Sequence, residues 1–375
     1  MKRRTFLRNS VSGLAGMTYA GLAAAGCPGM SEAKAAGEGS PGDKVGRPVR
    51  ITSISFPNGK WFPVDQIVPY VDKAGAAGVD VITLPEVCTG QNDKSEEDLG
   101  GPTVTAMSAL AEKHKMYIVL PMDRRNKNLR PNTQVLLDRD GKVACLYDEV
   151  FPYWEEYELH PPVDVGYDTV VYRTDFGMLG FANCFDTNFP EVWKRLADQG
   201  AEVVIWSSAY SAGTSLQSHA INNHYYIVTS TKAADCLVWD INGEELLYQK
   251  SDHKVNVTTV TLDLDRGIYH ENFNIRKRDK LLKEHPEDVA MEKWMRLEQW
   301  FILKAKRPGV SARDLAKQYG LEELRHYIDR SRQAIDARRG WPYEARVVFP
   351  DLDDSRLKAL STHAKNARPS GTTGK

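Results

Sequence analysis

Cysteine is scarce in this chain: five residues in 375, with no C-x-x-C pair. That excludes a disulfide scaffold and gives no sign of structural zinc. Charge of one sign is also missing. The 49 basic and 50 acidic residues leave a net charge of −1, against a general nucleic-acid or anionic-membrane binder, both of which need an excess of Lys and Arg. No stretch of eighteen or more strongly apolar residues occurs, which argues against a spanning helix. No internal repeat is evident. What remains is ordinary globular composition, 42% hydrophobic and 26% charged, on a length that suits one large α/β domain or two modest ones.

Residues 1–35 read as an address. Arg3 and Arg4, followed by Phe6 and Leu7 and a weakly apolar Ala/Gly-rich run from Val11 to Gly26, resemble a twin-arginine export signal. Two processing sites compete. Ala33-Lys34-Ala35 fits small-residue cleavage, and Ala24-Ala25-Gly26-Cys27 resembles a lipoprotein box with Cys27 as the lipidated residue. The first is preferred, which makes the protein exported, periplasmic or extracellular. Residues 36–48, rich in Gly, Pro and Ser, form a linker.

From residue 49 strands and helices alternate. Strands are expected at 51–56, 79–85, 117–121, 133–138, 144–150, 169–174, 178–183, 203–208, 225–231, 236–240 and 255–264, with helices at 64–77, 102–115 and 190–199. Asp140-Gly141 marks a hairpin turn. Strands apolar on both faces, separated by amphipathic helices, imply helix-covered sheets, and their number suggests two packed sheets. After Arg266 the texture becomes charge-rich. Residues 288–306 and 321–339 are expected to be helical, with Ser311 and Asp314 as an N-cap pair. The organisation is thus a domain at 49–266, a helical extension at 267–365 and a disordered tail at 366–375.

Three residues stand out for chemistry. Glu86 follows the apolar strand VDVITLP, Cys184 sits at a strand-to-helix turn before Pro190, and Glu156 follows an aromatic knot. A cysteine at such a turn resembles a nucleophile elbow, with sulfur near backbone N–H groups. Taken singly, each has a plainer explanation as filler or as a solvated strand end. Phe151, Tyr153, Trp154, Tyr157 and Trp206 could form an aromatic wall for substrate, or belong to core and interface.

The ordered set Leu84-Pro85-Glu86, Asn132, Tyr147…Pro152…Glu156, Asn183-Cys184-Phe185-Asp186…Phe189-Pro190-Glu191, Gln199-Gly200-Ala201-Glu202 and His219-Ala220-Ile221-Asn222-Asn223 resembles the carbon–nitrogen hydrolase (nitrilase) superfamily. The resemblance implies an α/β fold, a four-layer αββα sandwich dimerising through its outer helices, and hydrolysis of a non-peptide C–N bond. Cys184-Phe185-Asp186 looks like the amidase and carbamoyl branches rather than nitrilases proper. By motif Glu86 is the base, Cys184 the nucleophile that forms a thioester, and Glu156 a second carboxylate lining the pocket; the Phe185 N–H is an oxyanion donor. Tyr153, Trp154 and Trp206 are substrate-binding candidates. No metal or organic cofactor is implied, and His160, His219 and His224 are not at metal-ligand spacing.

One residue departs from the family. Its segment reads Tyr-Arg-Lys with Pro three and Glu seven residues after the Lys; here Tyr147-Asp148-Glu149 precedes Pro152 and Glu156. Glu149 therefore stands where the family has its lysine. A unit charge about 4 Å from a developing oxyanion is worth roughly 4 kcal/mol at an effective dielectric of 20, so reversing its sign costs up to roughly 8 kcal/mol. Three consequences are open. Glu149 holds a proton and donates it in a hydrogen bond, or the acid cluster binds a cationic amine substrate, or the site is a retired pseudoenzyme that binds a small molecule or serves in assembly. The expected partners are an amide-like small molecule, a second copy of the chain and the twin-arginine export machinery, with no nucleic acid.

Overall fold

A computed structural model describes residues 44–340 apart from Asp93. The expected export signal, its two candidate processing sites and the expected tail at 366–375 all fall outside the described residues.

The first sheet is built from β1 (Pro48–Ser55), β2 (Val81–Thr83), β3 (Tyr117–Asp123), β4 (Asn132–Leu137) and β5 (Val143–Asp148), with β12 (Asn256–Asp263) on its far edge. Its order is β12-β1-β2-β3-β4-β5. β1, β2 and β3 are parallel; β12 and β4 pair antiparallel to this block, and β5 pairs antiparallel to β4. The second sheet repeats this plan with β6 (Val171–Arg173), β7 (Met178–Asn183), β8 (Val203–Ser208), β9 (Tyr226–Thr231), β10 (Asp235–Trp239) and β11 (Glu245–Lys250), in the order β11-β10-β9-β8-β7-β6.

Side-chain alternation explains why these strands are apolar on both faces. In β3, Ile118 and Leu120 pack with Ile67 and Val71 of α1 (Val64–Ala76) and Met107 of α2 (Pro102–His114). Tyr117 and Val119, on the opposite face, join the core shared with the second sheet. The outer face of that sheet is covered by Trp193 and Leu196 of α3 (Pro190–Asp198) and Leu216 of α4 (Thr214–Asn223). The four layers are thus helices, sheet, sheet, helices.

Small hydroxyl side chains stitch the two sheets together. Ser53 Oγ donates to Thr229 O at 2.7 Å, Ser55 Oγ to Asp235 O at 2.7 Å and Ser230 Oγ to Ile54 O at 2.7 Å. Ser207 Oγ donates to Leu84 O at 2.9 Å, joining the ends of β8 and β2 across the sandwich. Buried hydroxyls are tolerable here because each finds a partner.

The extension carries helices as expected but also a sheet of its own. β13 (Gly267–His270), β14 (Val289–Met295) and β15 (Trp300–Ala305) pair in the order β13-β15-β14. They share a separate core with α5 (Ile275–Glu284) and α6 (Ala312–Gln318), including Leu281, Phe301 and Ala316. Residues 288–306 are therefore a β-hairpin, not the expected helix. A bulge between Met291 and Lys293 breaks the two-residue alternation, so the apolar positions mimic helical spacing. The Ser311 cap forms as expected, accepting from Asp314 N at 3.1 Å. α7 (Leu324–Arg339) closes the described chain, and Arg325 ties it to the second sheet through Ala201 O at 3.0 Å and His224 O at 2.7 Å.

Candidate active site

Three strand ends converge at one point of the sandwich. Glu86 lies three residues beyond β2, Glu149 directly follows β5, and Cys184 directly follows β7. One side-chain ligand atom from each lies within 4.8 Å of the others, and all three residues are buried.

Each is held by local backbone structure. Cys184 adopts φ +28°, a left-handed conformation, and opens the 3-10 turn Cys184–Asn188. Such strain persists only where surroundings fix it. Asp186 does much of that, accepting from Asn183 N at 2.9 Å, Phe151 N at 3.0 Å and the Tyr147 hydroxyl. Trp206 Nε1 donates to Cys184 O at 3.2 Å from beneath. Glu149 prolongs the β4–β5 ladder, its N–H on Asn132 O at 2.9 Å and its carbonyl accepting from Gly166 N at 2.7 Å. A Cβ on residue 166 would stand 2.0 Å from Asp148 O, so only glycine admits this approach.

Asn132 sits at the centre. Its Nδ2 donates to Glu86 Oε1 at 2.8 Å, Glu149 Oε2 at 2.8 Å and Glu156 Oε1 at 3.3 Å. Glu149 also accepts from Asn183 Nδ2 at 3.3 Å and from the Phe185 main-chain N–H at 3.1 Å. Glu156 accepts from Gln91 Nε2 and from Tyr153 N, the latter at 2.7 Å. Among the described residues, the donors to these carboxylates are thus neutral amides. Lys142 sits in the exposed hairpin turn near Asp140, and Lys194 on α3 pairs with Asp198 and Asp329. Glu86 Oε2 is buried without a hydrogen-bond partner.

Electrostatics follow from this crowding. Burial, then the charges of Glu156 and Glu86, hold Glu149 well above the ordinary carboxylate range. Burial and Glu86 push Glu156 up to about 7. Burial, Glu86 and Glu149 push the Cys184 thiol well above its ordinary range. Glu149 and the Cys184 sulfur are therefore biased toward their protonated forms, and a positive charge in the crevice would favour the ionised form of both. Two carboxylates and a thiol at this spacing also form a donor set for a divalent ion.

The four residues singled out for catalysis come together, Glu156 through Asn132. The aromatic candidates divide. Tyr153 is 44% exposed and meets Phe185 edge-on at 5.6 Å, while Trp154 is 68% exposed against Tyr157. Trp206 is fully buried; it supports the elbow from the core rather than offering a face to a ligand. The sequence assigned no role to Gln91 or to the bridging of Asn132, although Asn132, the first residue of β4, was visible as a landmark. His219 and His224 bond to main-chain carbonyls, of Thr187 at 2.9 Å and Ile241 at 3.3 Å.

A helix-covered double sheet with a cysteine elbow and glutamates at its strand ends defines a nitrilase-like sandwich. Residues 55–268, more than half of the chain, match the family described as carbon-nitrogen hydrolase, and the chain belongs to that family. The N-carbamoylputrescine amidase of Solanum tuberosum is 28% identical over 153 residues, 37% of this chain and 50% of that protein. The citrullinase of Francisella tularensis subsp. tularensis is 26% identical over 204 residues, 50% of this chain and 69% of that protein. The chain thus spans only half of the amidase's length. An amidase from Nesterenkonia sp. superposes with a TM-score of 0.52 at 18% identity, covering 59% of this chain and 92% of its own. This last likeness concerns the fold alone.

Proposed function

We propose that the protein is an exported hydrolase of a non-peptide C–N bond, with Cys184 as nucleophile, Glu86 as base, Glu156 as a second carboxylate and Glu149 at the family's lysine position. The single observation that carries this reading is the approach of Glu86, Glu149 and Cys184 to within 4.8 Å of one another. Glu86 takes the thiol proton as sulfur attacks the carbon of an amide or carbamoyl group. The proton passes to the departing nitrogen, and Glu86 then activates the water that cleaves the thioester. Two relatives bear the names N-carbamoylputrescine amidase and citrullinase, which favours amide or carbamoyl groups over nitriles. Export rests on Arg3 and Arg4, and self-association on the family's use of its outer helices.

A second reading, a retired pseudoenzyme that binds without turnover, is favoured by the Phe185 N–H being occupied by Glu149. Incubation with small amides, carbamoyl amines and amidines, read by ammonia release and intact mass, separates the two. Turnover or an adduct that Cys184→Ala abolishes supports the hydrolase. No ammonia and no adduct from any compound leaves only the binding reading.

A further inference from the structure

We propose that the crevice between Glu86, Glu149 and Cys184 takes an amidinium or guanidinium group, and that Cys184 attacks the carbon bearing that positive charge. The proposal rests on Cys184 being a nucleophile, as argued above, and changes the charge of what it attacks.

Charge at the reacting atoms is the reason. Attack on a neutral amide turns its oxygen into an anion, which needs a cation or N–H donors. Here the Phe185 N–H already serves Glu149 Oε1 at 3.1 Å, and among the described residues the side chains beside Cys184 and Glu149 are carboxyl and amide groups, not ammonium groups. An oxyanion formed there would face Glu149 and Glu86. Attack on an amidinium reverses the requirement. The substrate arrives positive, and its tetrahedral adduct, a carbon carrying sulfur and two amino groups, is neutral. No anion develops, so no lysine is needed.

The spacing limits where the positive charge can lie. The carboxylates that lack a counter-charge stand within 4.8 Å of the sulfur. A remote ammonium on a long substrate would leave them uncompensated at the reacting centre. A planar amidinium puts charge and electrophilic carbon in the same group, and its forked N–H donors suit carboxylate oxygens. Glu86 Oε2, buried and without a partner, supplies an acceptor for that fork. A bound cation also offsets the charges that hold the thiol protonated, so the thiolate forms when substrate is present.

The chemistry balances. The Cys184 proton moves to Glu86 and a C–S bond forms at the amidinium carbon. Glu86 returns that proton to one amino group, the C–N bond breaks, ammonia leaves, and a cationic thioimidate remains on sulfur. Water, deprotonated by Glu86, adds to the same carbon. The C–S bond then breaks, and the proton held by Glu86 restores the thiol. The ammonia takes the proton lost by the oxygen, so amidinium plus water gives amide plus ammonium; a guanidinium gives a ureido group.

The test uses chloroacetamidine and chloroacetamide, matched alkylators that differ in charge. Labelling of Cys184 in the full-length protein is followed by peptide mass spectrometry, each rate divided by that reagent's rate with a small free thiol. The expected result is a preference for chloroacetamidine of about tenfold or more, largely lost in Glu149→Gln. Equal or faster labelling by chloroacetamide, above the free-thiol rate, overturns the cationic class and leaves the hydrolase standing. Failure of both reagents to exceed the free-thiol rate overturns both. If Glu149→Gln misfolds, the wild-type ratio alone decides. A preference that survives in folded Glu149→Gln overturns the role of Glu149.

Discussion

The main-chain N–H of Phe185 donates to Glu149 Oε1 at 3.1 Å. The residue after the cysteine thus gives its proton to a side chain of the protein, and Asn132 and Asn183 hold the other oxygen of that carboxylate. On the proposed reading, charge at position 149 selects which substrates the crevice admits.

Glu149→Lys is the direct probe. It frees the Phe185 N–H and supplies an ammonium next to Cys184. Single oxyanion donors are worth about 10²–10³ in rate, so kcat/KM for a small neutral amide should rise by at least about a hundredfold. The thiol should also titrate lower, seen as faster iodoacetamide labelling of Cys184 at neutral pH. An unchanged amide rate in a folded variant would mean that position 149 does not govern the oxyanion.

The carboxylate cluster should also shape stability against pH. Glu156 rises from 4.5 unfolded to about 7 folded, so the folded state binds the extra proton. Its contribution is complete below about pH 4.5 and is lost as pH rises to about 7, on the order of 3 kcal/mol. His224, lowered from 6.5 to about 4 by burial, acts oppositely, destabilising the fold as pH falls through the same window. Comparison with Glu156→Gln isolates the carboxylate. The Tm of the variant relative to wild type should climb between pH 5 and 7.5; a flat difference would mean that Glu156 titrates normally.

Gly166→Ala tests whether Glu149 is positioned by its backbone. The added Cβ would stand 2.0 Å from Asp148 O and 3.0 Å from Glu149 O. The strand end must move, at a cost of about 1–3 kcal/mol by the usual scale of overpacking. Chemical denaturation should show that loss, and Cys184 labelling should change with it. A variant of unchanged stability and reactivity would mean that the loop yields without disturbing the site.

Much of this was legible in sequence because the strands are short apolar runs, buried on both faces, with turn residues between them. β1, β3, β7 and β8 fall where apolar runs and Gly or Pro punctuation put them, and the Asp140-Gly141 hairpin forms, with Gly141 at φ +74°. β14 and β15 were not legible, since one bulged residue converts alternation into false helical spacing. β11 has no buried residue to mark it. In the site, Glu86 and Cys184 announced themselves by ending apolar strands. The bridging by Asn132 depends on strands distant in sequence meeting at their ends, which no local pattern encodes.

Arg325 offers a last test, of how the extension is fastened. Its guanidinium reaches Ala201 O at 3.0 Å and His224 O at 2.7 Å, the carbonyls just before β8 and β9. It also stands 5.8 Å from the centroid of the Tyr225 ring, and Tyr225 in turn donates to Trp193 O at 3.0 Å on α3. Arg325→Ala removes two charged hydrogen bonds, each worth about 1.5–3 kcal/mol. A loss of about 3 kcal/mol or more should result, with α7 becoming the first segment to exchange its amides. The β3 amides should stay protected, since the first sheet makes none of these contacts. Global unfolding with uniform loss of protection would instead show that extension and sandwich form one cooperative unit held by this side chain.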